Sequence, residues 1–250
     1  MNQSAMAHQN HTASGSDHSA WIPATADCYQ TLQTITLDLW RISLEQPPPL
    51  ELLSKDEITR MNRYRFADDR RRFAVARSGL RQILGRYAQQ SPATLVFNYG
   101  SYGKPYLSNT PSLEFNLSHS GEYALCGVSR ESVGVDIEQL RPMDRLDGLV
   151  KRCLAPSEQQ AMAKASPLLR SQTFLEYWTC KEAYLKATGQ GISEALAAIE
   201  VDLDPSPRLN VPGQPWQLKV FTPCLGYTAA AVVSPKITQT RHWDYGKNLN

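Results

Sequence analysis

Two short stretches of this chain carry acidic and basic side chains at spacings that would let them act together. Asp136 and Glu138 are two residues apart in the run GVDIE, and alternation along a strand would direct both carboxylates to one face. Lys181, Glu182 and Lys186 lie in the run WTCKEAYLKATGQG, where positions three to five apart share one surface of a helix. Three carboxylates that converge beside two lysines suit a hard divalent cation such as Mg²⁺ and a polyphosphate.

Each of these side chains also has an ordinary structural interpretation. Two acids at the spacing of Asp136 and Glu138 occur often on the exposed edge of a strand. Glu182 by itself would be a solvated partner of Lys186, four residues later on a helix, and Lys181 would be an ordinary surface lysine. Either stretch taken alone therefore does not establish a site.

The order and separation of the two stretches resemble the pattern of a known family. G-[VI]-D-[IV]-E, followed roughly forty residues later by W-[ST]-x-K-E-[AS]-x-x-K, is the signature of the 4′-phosphopantetheinyl transferases. The runs SYGKP (101–105) and FNLSHS (115–120) are similar to two further motifs of that family. The chain resembles the longer, monomeric subclass typified by the surfactin-synthetase activator. The resemblance runs from about Arg60 to Gly191 and continues more weakly to about Ser234.

The resemblance implies an α+β protein with the 4′-phosphopantetheinyl transferase fold, in which two pseudo-symmetric α/β halves hold the active site between them. We therefore expect an N-terminal half over residues 32–140 and a C-terminal half over residues 141–234. A faint similarity between GEYALCGVS (121–129) and LGYTAAAVVS (225–234) agrees with an internal duplication.

Hydrophobic periodicity and turn residues predict the individual elements. The predicted helices cover residues 51–62, 68–89, 147–153, 157–164 and 169–188. The predicted strands cover residues 35–42, 95–99, 113–117, 123–128, 133–138, 199–203, 216–221 and 227–233.

Both ends of the chain are polar and lack the periodicity of a buried element. Residues 1–31 are rich in small polar residues and predict a disordered leader, and residues 235–250 predict a polar tail. We therefore expect removal of Met1–Asp27 to leave stability and activity unchanged.

The reaction implied by the resemblance is that of a holo-[acyl-carrier-protein] synthase. Such an enzyme uses Mg²⁺ to transfer the 4′-phosphopantetheine arm of coenzyme A to a serine of an apo acyl or peptidyl carrier protein, and releases adenosine 3′,5′-bisphosphate. Asp136 and Glu182 would bind the metal directly, and Glu138 directly or through water. Lys181 and Lys186 would contact the pyrophosphate and stabilise the charge that develops there. Glu182 would also act as the general base for the incoming serine.

The same resemblance implies where coenzyme A binds. Lys104, Ser118 and His119 would contact its nucleotide end, and an arginine of the predicted helix 68–89 would meet the 3′-phosphate. Arg72 is the first choice for that arginine. The register leaves four alternatives for the positive charge: Arg60, Arg63, Arg71 and Arg77.

Composition limits the cellular compartments and the classes of binding partner that are possible. No apolar run approaches the ~20 residues of a membrane-spanning helix, and the first residues lack the basic start and apolar core of a signal peptide. The five cysteines include no CxxC pair and are expected to be free thiols in a reducing compartment. These features predict a cytoplasmic protein that does not bind membranes. The net charge of +2 is too small to indicate a nucleic-acid partner, and the resemblance to the monomeric subclass implies a monomer.

Two other functions remain open from the residues alone. The same carboxylates would serve another Mg²⁺-dependent phosphotransferase or pyrophosphohydrolase, although no glycine-rich phosphate loop is present in the sequence. Between Arg60 and Arg86 the chain carries nine arginines against Asp68 and Asp69. This surplus indicates an anionic ligand or an acidic partner, and it would also fit a non-enzymatic basic interaction module.

Overall fold

A computed structural model of the protein describes residues 20–29, 32–110, 112–191, 194–213 and 215–246. The α-helices are α1 (Lys55–Met61), α2 (Ala67–Ala88), α3 (Leu146–Cys153), α4 (Pro156–Lys164) and α5 (Arg170–Thr188). The strands are β1 (Ile22–Pro23), β2 (Thr36–Ser43), β3 (Phe97–Tyr99), β4 (Pro105–Leu107), β5 (Glu114–Ser120), β6 (Tyr123–Ser129), β7 (Val133–Gln139), β8 (Glu200–Asp202), β9 (Arg208–Asn210), β10 (Gln217–Phe221), β11 (Tyr227–Val233) and β12 (Gln239–Tyr245).

Two sheets pack face to face, and each carries one long helix on its outer side. The first sheet has the order β1-β12-β2-β6-β5 and the second the order β10-β11-β7, while β3-β4 and β8-β9 form separate pairs. Helix α2 covers the first sheet and α5 covers the second. The predicted α+β fold of two helix-on-sheet halves is confirmed.

Alternation along single strands explains these layers. Leu37 and Leu39 of β2 point into the core between the sheets, whereas Trp40 and Ile42 of the same strand pack under α2. In β11, alanines and valines alternate in the same way between the central core and the face under α5. Because side chains of a strand point alternately to its two faces, one apolar strand supports two cores.

Local capping sets where two of the helices begin and end. The hydroxyl of Ser54 accepts a hydrogen bond from the backbone N–H of Glu57, whose carboxylate accepts one from the backbone N–H of Ser54. This reciprocal capping starts α1 at Lys55 rather than at residue 51 as predicted. Helix α5 ends at Gly189, whose φ of 68° is the left-handed conformation that glycine adopts without strain.

Helix α5 approaches β7 closely at Gly134. A Cβ atom on Gly134 would overlap the carbonyl oxygen of Ala183 and the backbone nitrogen of Ala187. Only a residue without a side chain allows this distance between helix and strand. The contact brings the C-terminal half of α5 over the middle of β7.

The predicted boundaries of the two halves need two corrections. Strand β7, assigned to the N-terminal half, pairs with β11 in the second sheet. The predicted polar tail over residues 235–250 is wrong for Gln239–Tyr245, which form β12 between β1 and β2.

An ion pair with a buried carboxylate holds β12 in the first sheet. Asp38 of β2 accepts hydrogen bonds from the Arg241 side chain at 2.6 and 2.7 Å. The pairing joins residues about 200 positions apart, so no local pattern reveals it.

The predicted disordered leader is also wrong in part. Residues 1–19, 30 and 31 lie outside the described residues, where the prediction stays a prediction. Strand β1 pairs in parallel with β12, and Cys28 and Tyr29 are buried in the core beneath α2. Trp21 lies 5.1 Å from the ring of His242, centroid to centroid. Isolated aromatic residues in a polar segment carry no periodicity, which explains the error.

The described part of the chain contains no helix that is both long and apolar enough to cross a membrane.

Removal of residues 1–27 is now expected to destabilise the protein, contrary to the prediction from sequence. It deletes β1 and Trp21, whose ring also stacks under the Arg41 guanidinium at 5.0 Å. Burial of one such aromatic contributes on the order of 2 kcal/mol, equivalent to several degrees in melting temperature. Thermal unfolding of the full chain and of chains lacking 1–19 or 1–27 checks this, and equal melting temperatures for all three would contradict it.

Substitution of Gly134 by alanine should destabilise the fold by about 1–3 kcal/mol because α5 must move away from β7. Gly148→Ala is the matched control, since a Cβ at that position of α3 meets no atom within 4 Å. Urea unfolding measures both variants. Equal stability of Gly134→Ala and Gly148→Ala would show that the close approach is not required.

Candidate active site

The centre of the site is a three-way contact between β5, β7 and α5. The ammonium group of Lys186 lies 2.6 Å from Oδ1 of Asp136 and 3.0 Å from Oγ of Ser118. The Ser118 hydroxyl donates to the same Asp136 oxygen at 2.6 Å. The second carboxylate oxygen of Asp136, Oδ2, is buried and has no hydrogen-bond partner among the described residues. Such an acceptor is costly to bury unless a ligand completes it.

Glu182 provides a second buried acceptor on the facing helix. Its Oε1 is inaccessible to solvent and has no hydrogen-bond partner in the described part of the chain. Burial raises the pKa of Glu182 to about 7; Lys186 opposes the rise, and the negative charges of Asp136 and Glu138 add to it. A carboxylate with this pKa exchanges its proton near neutral pH, as a general base requires.

Glu138 lies at the edge of the same group and is more exposed. Its Oε2 accepts a hydrogen bond from Oγ of Ser120 at 2.8 Å, and the Arg141 guanidinium lies 3.7 Å away. Burial and the charge of Asp136 raise the pKa of Glu138. Alternation along β7 therefore places the two acids on one side of the strand, as the sequence predicts.

Lys181 does not belong to this group, which contradicts its predicted role at the pyrophosphate. Its side chain is fully buried on the far side of α5, where the ammonium lies 2.6 Å from Glu158 and donates to the carbonyls of Leu196 and Ile199. Burial lowers the pKa of Lys181 and raises that of Glu158, and their contact opposes both shifts. Adjacent helix positions differ by about 100°, so Lys181 cannot share the direction of Glu182 once α5 is packed on β7.

Lys104 lies at the cleft but its amino group is already engaged. The ammonium donates to the backbone carbonyl oxygens of Val133 at 3.1 Å and Ala187 at 3.3 Å, and Glu114 lies 3.8 Å away. Burial lowers the pKa of Lys104. The lysine therefore ties the turn of the SYGKP motif to both β7 and α5. Its ammonium group is not free to make the predicted contact with the nucleotide while it keeps these bonds.

Four arginines of α2 share two glutamates. Arg71 and Arg72 both pair with partly exposed Glu122, at 3.1 and 2.5 Å. Arg77 and Arg81 both pair with buried Glu57 at 2.7 Å. The two carboxylates offset two of these four positive charges, and the pairing leaves fewer guanidinium groups of this helix available to a docking partner.

Arg60 lines a cavity and has a guanidinium group that can bind an anion there. Its guanidinium lies over the Phe73 ring at 5.5 Å, and the described residues include no carboxylate that pairs with it. His119, on the opposite side of β5 from Ser118, faces the same space. Desolvation in the cleft and the charges of Lys186 and Arg72 lower the pKa of His119, although its ring remains exposed at the surface.

Two adjoining cavities, together called the cleft, lie along these residues. A cavity of about 360 Å³ is bounded by Glu182, Lys186 and the SYGKP turn. A second cavity of about 200 Å³ is lined by Arg60 and His119. The two share three lining residues, namely Gly103, Pro105 and Asn116. The cleft thus extends from Glu182 and Lys186 to Arg60 and His119.

Two polar residues of β5, Asn116 and Ser120, belong to this group although they were not among the residues predicted from sequence. Asn116 is buried, lines both cavities and accepts a hydrogen bond from the backbone N–H of Val135 at 2.9 Å. Ser120 contacts Glu138. Polar side chains at every second position of FNLSHS were the available signal, because period two places them on one face of the strand.

Comparisons with known proteins cover nearly the whole described chain. Residues 40–130 match the family model described as 4′-phosphopantetheinyl transferase, N-terminal, and residues 132–231 match the model of the 4′-phosphopantetheinyl transferase superfamily. The chain is 39% identical over 235 residues to the 4′-phosphopantetheinyl transferase HetI of Nostoc sp., a match that covers 90% of this chain and 98% of the relative. It is 25% identical over 162 residues to the 4′-phosphopantetheinyl transferase Sfp of Bacillus subtilis, covering 65% and 71% of the two chains.

A partial likeness to smaller solved structures was also found. The chain is similar to the holo-(acyl-carrier-protein) synthase of Bacillus anthracis in complex with coenzyme A (3′,5′-ADP), with 26% identity and a TM-score of 0.37. This match covers 41% of the present chain and 93% of the solved one.

The raised pKa of Glu182 predicts a pH-dependent cost to stability in the absence of divalent ions. The carboxyl group has an ordinary pKa of 4.5 and a pKa of about 7 in the folded protein. Between these two pH values the folded state keeps a proton that the unfolded state loses, so the free energy of unfolding should fall as pH rises through this window. Glu182→Gln removes this titration and should stabilise the protein at pH 8 by on the order of 2–3 kcal/mol, with little effect at pH 4.5.

Thermal unfolding at both pH values in a chelating buffer measures the effect. Glu51→Gln, at an exposed position, is the control. A Glu182→Gln protein with the same pH profile as the parent would contradict the prediction.

Proposed function

Since the chain belongs to the 4′-phosphopantetheinyl transferase superfamily and is an enzyme that transfers phosphopantetheine from coenzyme A to carrier proteins, we propose that Asp136, Glu138, Glu182 and Lys186 carry out this transfer with Mg²⁺. The observation that carries the proposal is a pair of buried carboxylate oxygens beside the Lys186 ammonium, Oδ2 of Asp136 and Oε1 of Glu182, for which the described residues supply no hydrogen-bond partner. Family membership favours the predicted transferase over both alternative functions.

The donor set fits a hard cation that keeps few protein ligands. The described residues contain no group of three or more His, Cys, Asp and Glu side chains arranged as a complete metal site. Mg²⁺ is commonly held by one or two carboxylates, with water and substrate phosphates as its other ligands. Asp136 and Glu182 would be these direct ligands, with Glu138 at the edge of the group. When bound, the ion would polarise the phosphate that is attacked and offset its charge.

The protein groups supply positioning, charge and a place for the proton. Lys186 is only partly buried, so its ammonium can contact a phosphate oxygen of coenzyme A from the cleft while it remains beside Asp136. Glu182 would accept the proton of the carrier serine hydroxyl, since its buried Oε1 has no hydrogen-bond partner among the described residues. A bond forms between the serine oxygen and the β-phosphorus, and the bond from that phosphorus to the bridging oxygen breaks. Adenosine 3′,5′-bisphosphate leaves with that oxygen.

Arg60 and His119 would bind the nucleotide end of coenzyme A. Both border the charged end of the cleft, and Arg60 retains a cation for the 3′-phosphate. Arg72, the first choice from sequence, is held by Glu122 and would contribute to the positive potential around His119. Lys104 would shape this part of the cleft through its backbone contacts. A cytoplasmic monomer that binds no nucleic acid remains part of this proposal.

Asp136→Ala and Glu182→Ala should each lower the rate of transfer at least a hundredfold, equivalent to about 2.7 kcal/mol of barrier. Each removes one of few ligands for the metal. The assay is incubation with coenzyme A, Mg²⁺ and an apo carrier domain, followed by the intact mass of the carrier, which should rise by one phosphopantetheine group. Asp144→Ala, at an exposed position outside the cleft, is the control.

Circular dichroism and thermal unfolding establish that each variant is folded. Near-normal transfer by either folded cleft variant would refute the assignment of the carboxylates.

A further inference from the structure

Strands β5 and β7 run side by side at the site but belong to different sheets. Strand β5 ends the first sheet and β7 ends the second, and no backbone ladder joins them in the described chain. The edge of a strand presents N–H and C=O groups that need partners. The junction of the two sheets must therefore be completed by other groups.

Side chains of β5 complete the edge of β7. Oδ1 of Asn116 accepts a hydrogen bond from the backbone N–H of Val135 at 2.9 Å. Oγ of Ser120 accepts one from the backbone N–H of Gln139 at 3.1 Å. Because Val135 and Gln139 are four residues apart, their N–H groups point to the same edge. The amide orientation of Asn116 is determined by this contact, since a backbone N–H can only donate.

The same face of β5 also holds the carboxylates of β7. The hydroxyl of Ser118 donates to Oδ1 of Asp136 at 2.6 Å, and that of Ser120 donates to Oε2 of Glu138 at 2.8 Å. Each serine occupies one oxygen of its carboxylate. For Asp136, the remaining oxygen is the buried one that lacks a partner among the described residues.

We propose that Asn116, Ser118 and Ser120, which we call the polar seam, are positioning residues for the transfer reaction. They replace a backbone ladder between the two sheets and fix the orientation of the Asp136 and Glu138 carboxylates by holding one oxygen of each, which leaves the other oxygen of each outside the seam. This inference rests on the proposed function of those carboxylates.

Ser120 contacts both the backbone edge of β7 and a carboxylate of the site. A hydroxyl has one proton to donate and two lone pairs to accept. The N–H of Gln139 occupies a lone pair, so the hydroxyl proton is directed to Glu138. One side chain thereby links the position of the strand edge to the rotamer of a carboxylate. Removing this hydroxyl frees Glu138 to rotate without removing any carboxylate.

The test compares Ser120→Ala with Ser120→Thr, which keeps the hydroxyl, and with Ser129→Ala. Ser129 is a matched control because it is a buried serine of β6 that contacts the backbone of Thr36 and Glu131 and lies outside the site. Loss of a residue that orients metal ligands typically costs 10–100-fold in affinity or activity. Ser120→Ala should therefore lower kcat by roughly 10–100-fold with little change in KM for coenzyme A.

A second readout does not depend on turnover. Mn²⁺ binding, measured by the EPR signal of the free ion with coenzyme A present and no carrier protein, should weaken by a similar factor in Ser120→Ala. Ser120→Thr should restore both kcat and Mn²⁺ affinity, and Ser129→Ala should change neither. Native kcat and Mn²⁺ affinity in Ser120→Ala, or the same losses in Ser129→Ala, would overturn the proposal.

Asp136→Ala separates this inference from the proposed function. If Asp136→Ala abolishes transfer while Ser120→Ala behaves like the parent, the seam proposal fails and the carboxylate assignment stands. If Asp136→Ala retains transfer, the carboxylate assignment itself fails.

Discussion

The close packing of α5 on β7 determines the geometry on which the rest of the site depends. Gly134 allows this approach because any side chain there would overlap the backbone of Ala183 and Ala187. At this distance the Lys186 ammonium reaches Asp136 at 2.6 Å, and Glu182 is close enough to Asp136 and Glu138 for their charges to raise its pKa. The groups proposed to bind metal and phosphate therefore come from two elements that a single backbone contact holds in register. A helix displaced by one side chain would separate the two carboxylates.

The buried charged groups fall into two classes, those with all hydrogen bonds satisfied and those with an oxygen that has no partner among the described residues. Lys181 and Glu158 are fully buried and satisfied, since the lysine has three acceptors and the glutamate accepts from the backbone N–H groups of Ala155 and Val201. At the site, by contrast, Asp136 and Glu182 each keep a buried oxygen without a partner among the described residues. A fully satisfied network rigidifies its surroundings, whereas a buried polar group without a partner is costly. The first arrangement stabilises the core, and the second is the one that the proposed cation would complete.

The two halves are interlocked rather than joined by a simple linker. Strand β7 lies in the predicted N-terminal half but pairs with β11, and β12 follows the predicted C-terminal half but lies beside β2. The core between the sheets is therefore built from both ends of the chain. A cleft that borders both halves gains rigidity from this exchange, because neither half can move without breaking a sheet of the other. The polar seam lies where the two sheets meet, which makes it both a structural junction and a support for the carboxylates.

The sequence by itself determined the elements and the main chemical groups. Periodicity predicted the helices and most strands, and alternation correctly placed Asp136 and Glu138 on one side of a strand. It missed β1, β4, β9 and β12, which are short or depend on distant pairing. Local patterns record which residues share a face, because backbone geometry is the same in every helix and strand. The pairing of strands remote in sequence is set by the whole chain and leaves no local periodicity.

Only the tertiary structure decided which charged groups meet. The sequence predicted both Lys181 and Lys186 at the pyrophosphate, but the packing of α5 buries the first in the core with Glu158 and turns the second to Asp136. The candidate arginines differ in the same way, since Arg72 pairs with Glu122 and Arg77 with Glu57, whereas Arg60 lies over the Phe73 ring at the cleft. Spacing along the chain fixes the angle between side chains on one helix, whereas the direction of that helix face depends on the surface against which it packs.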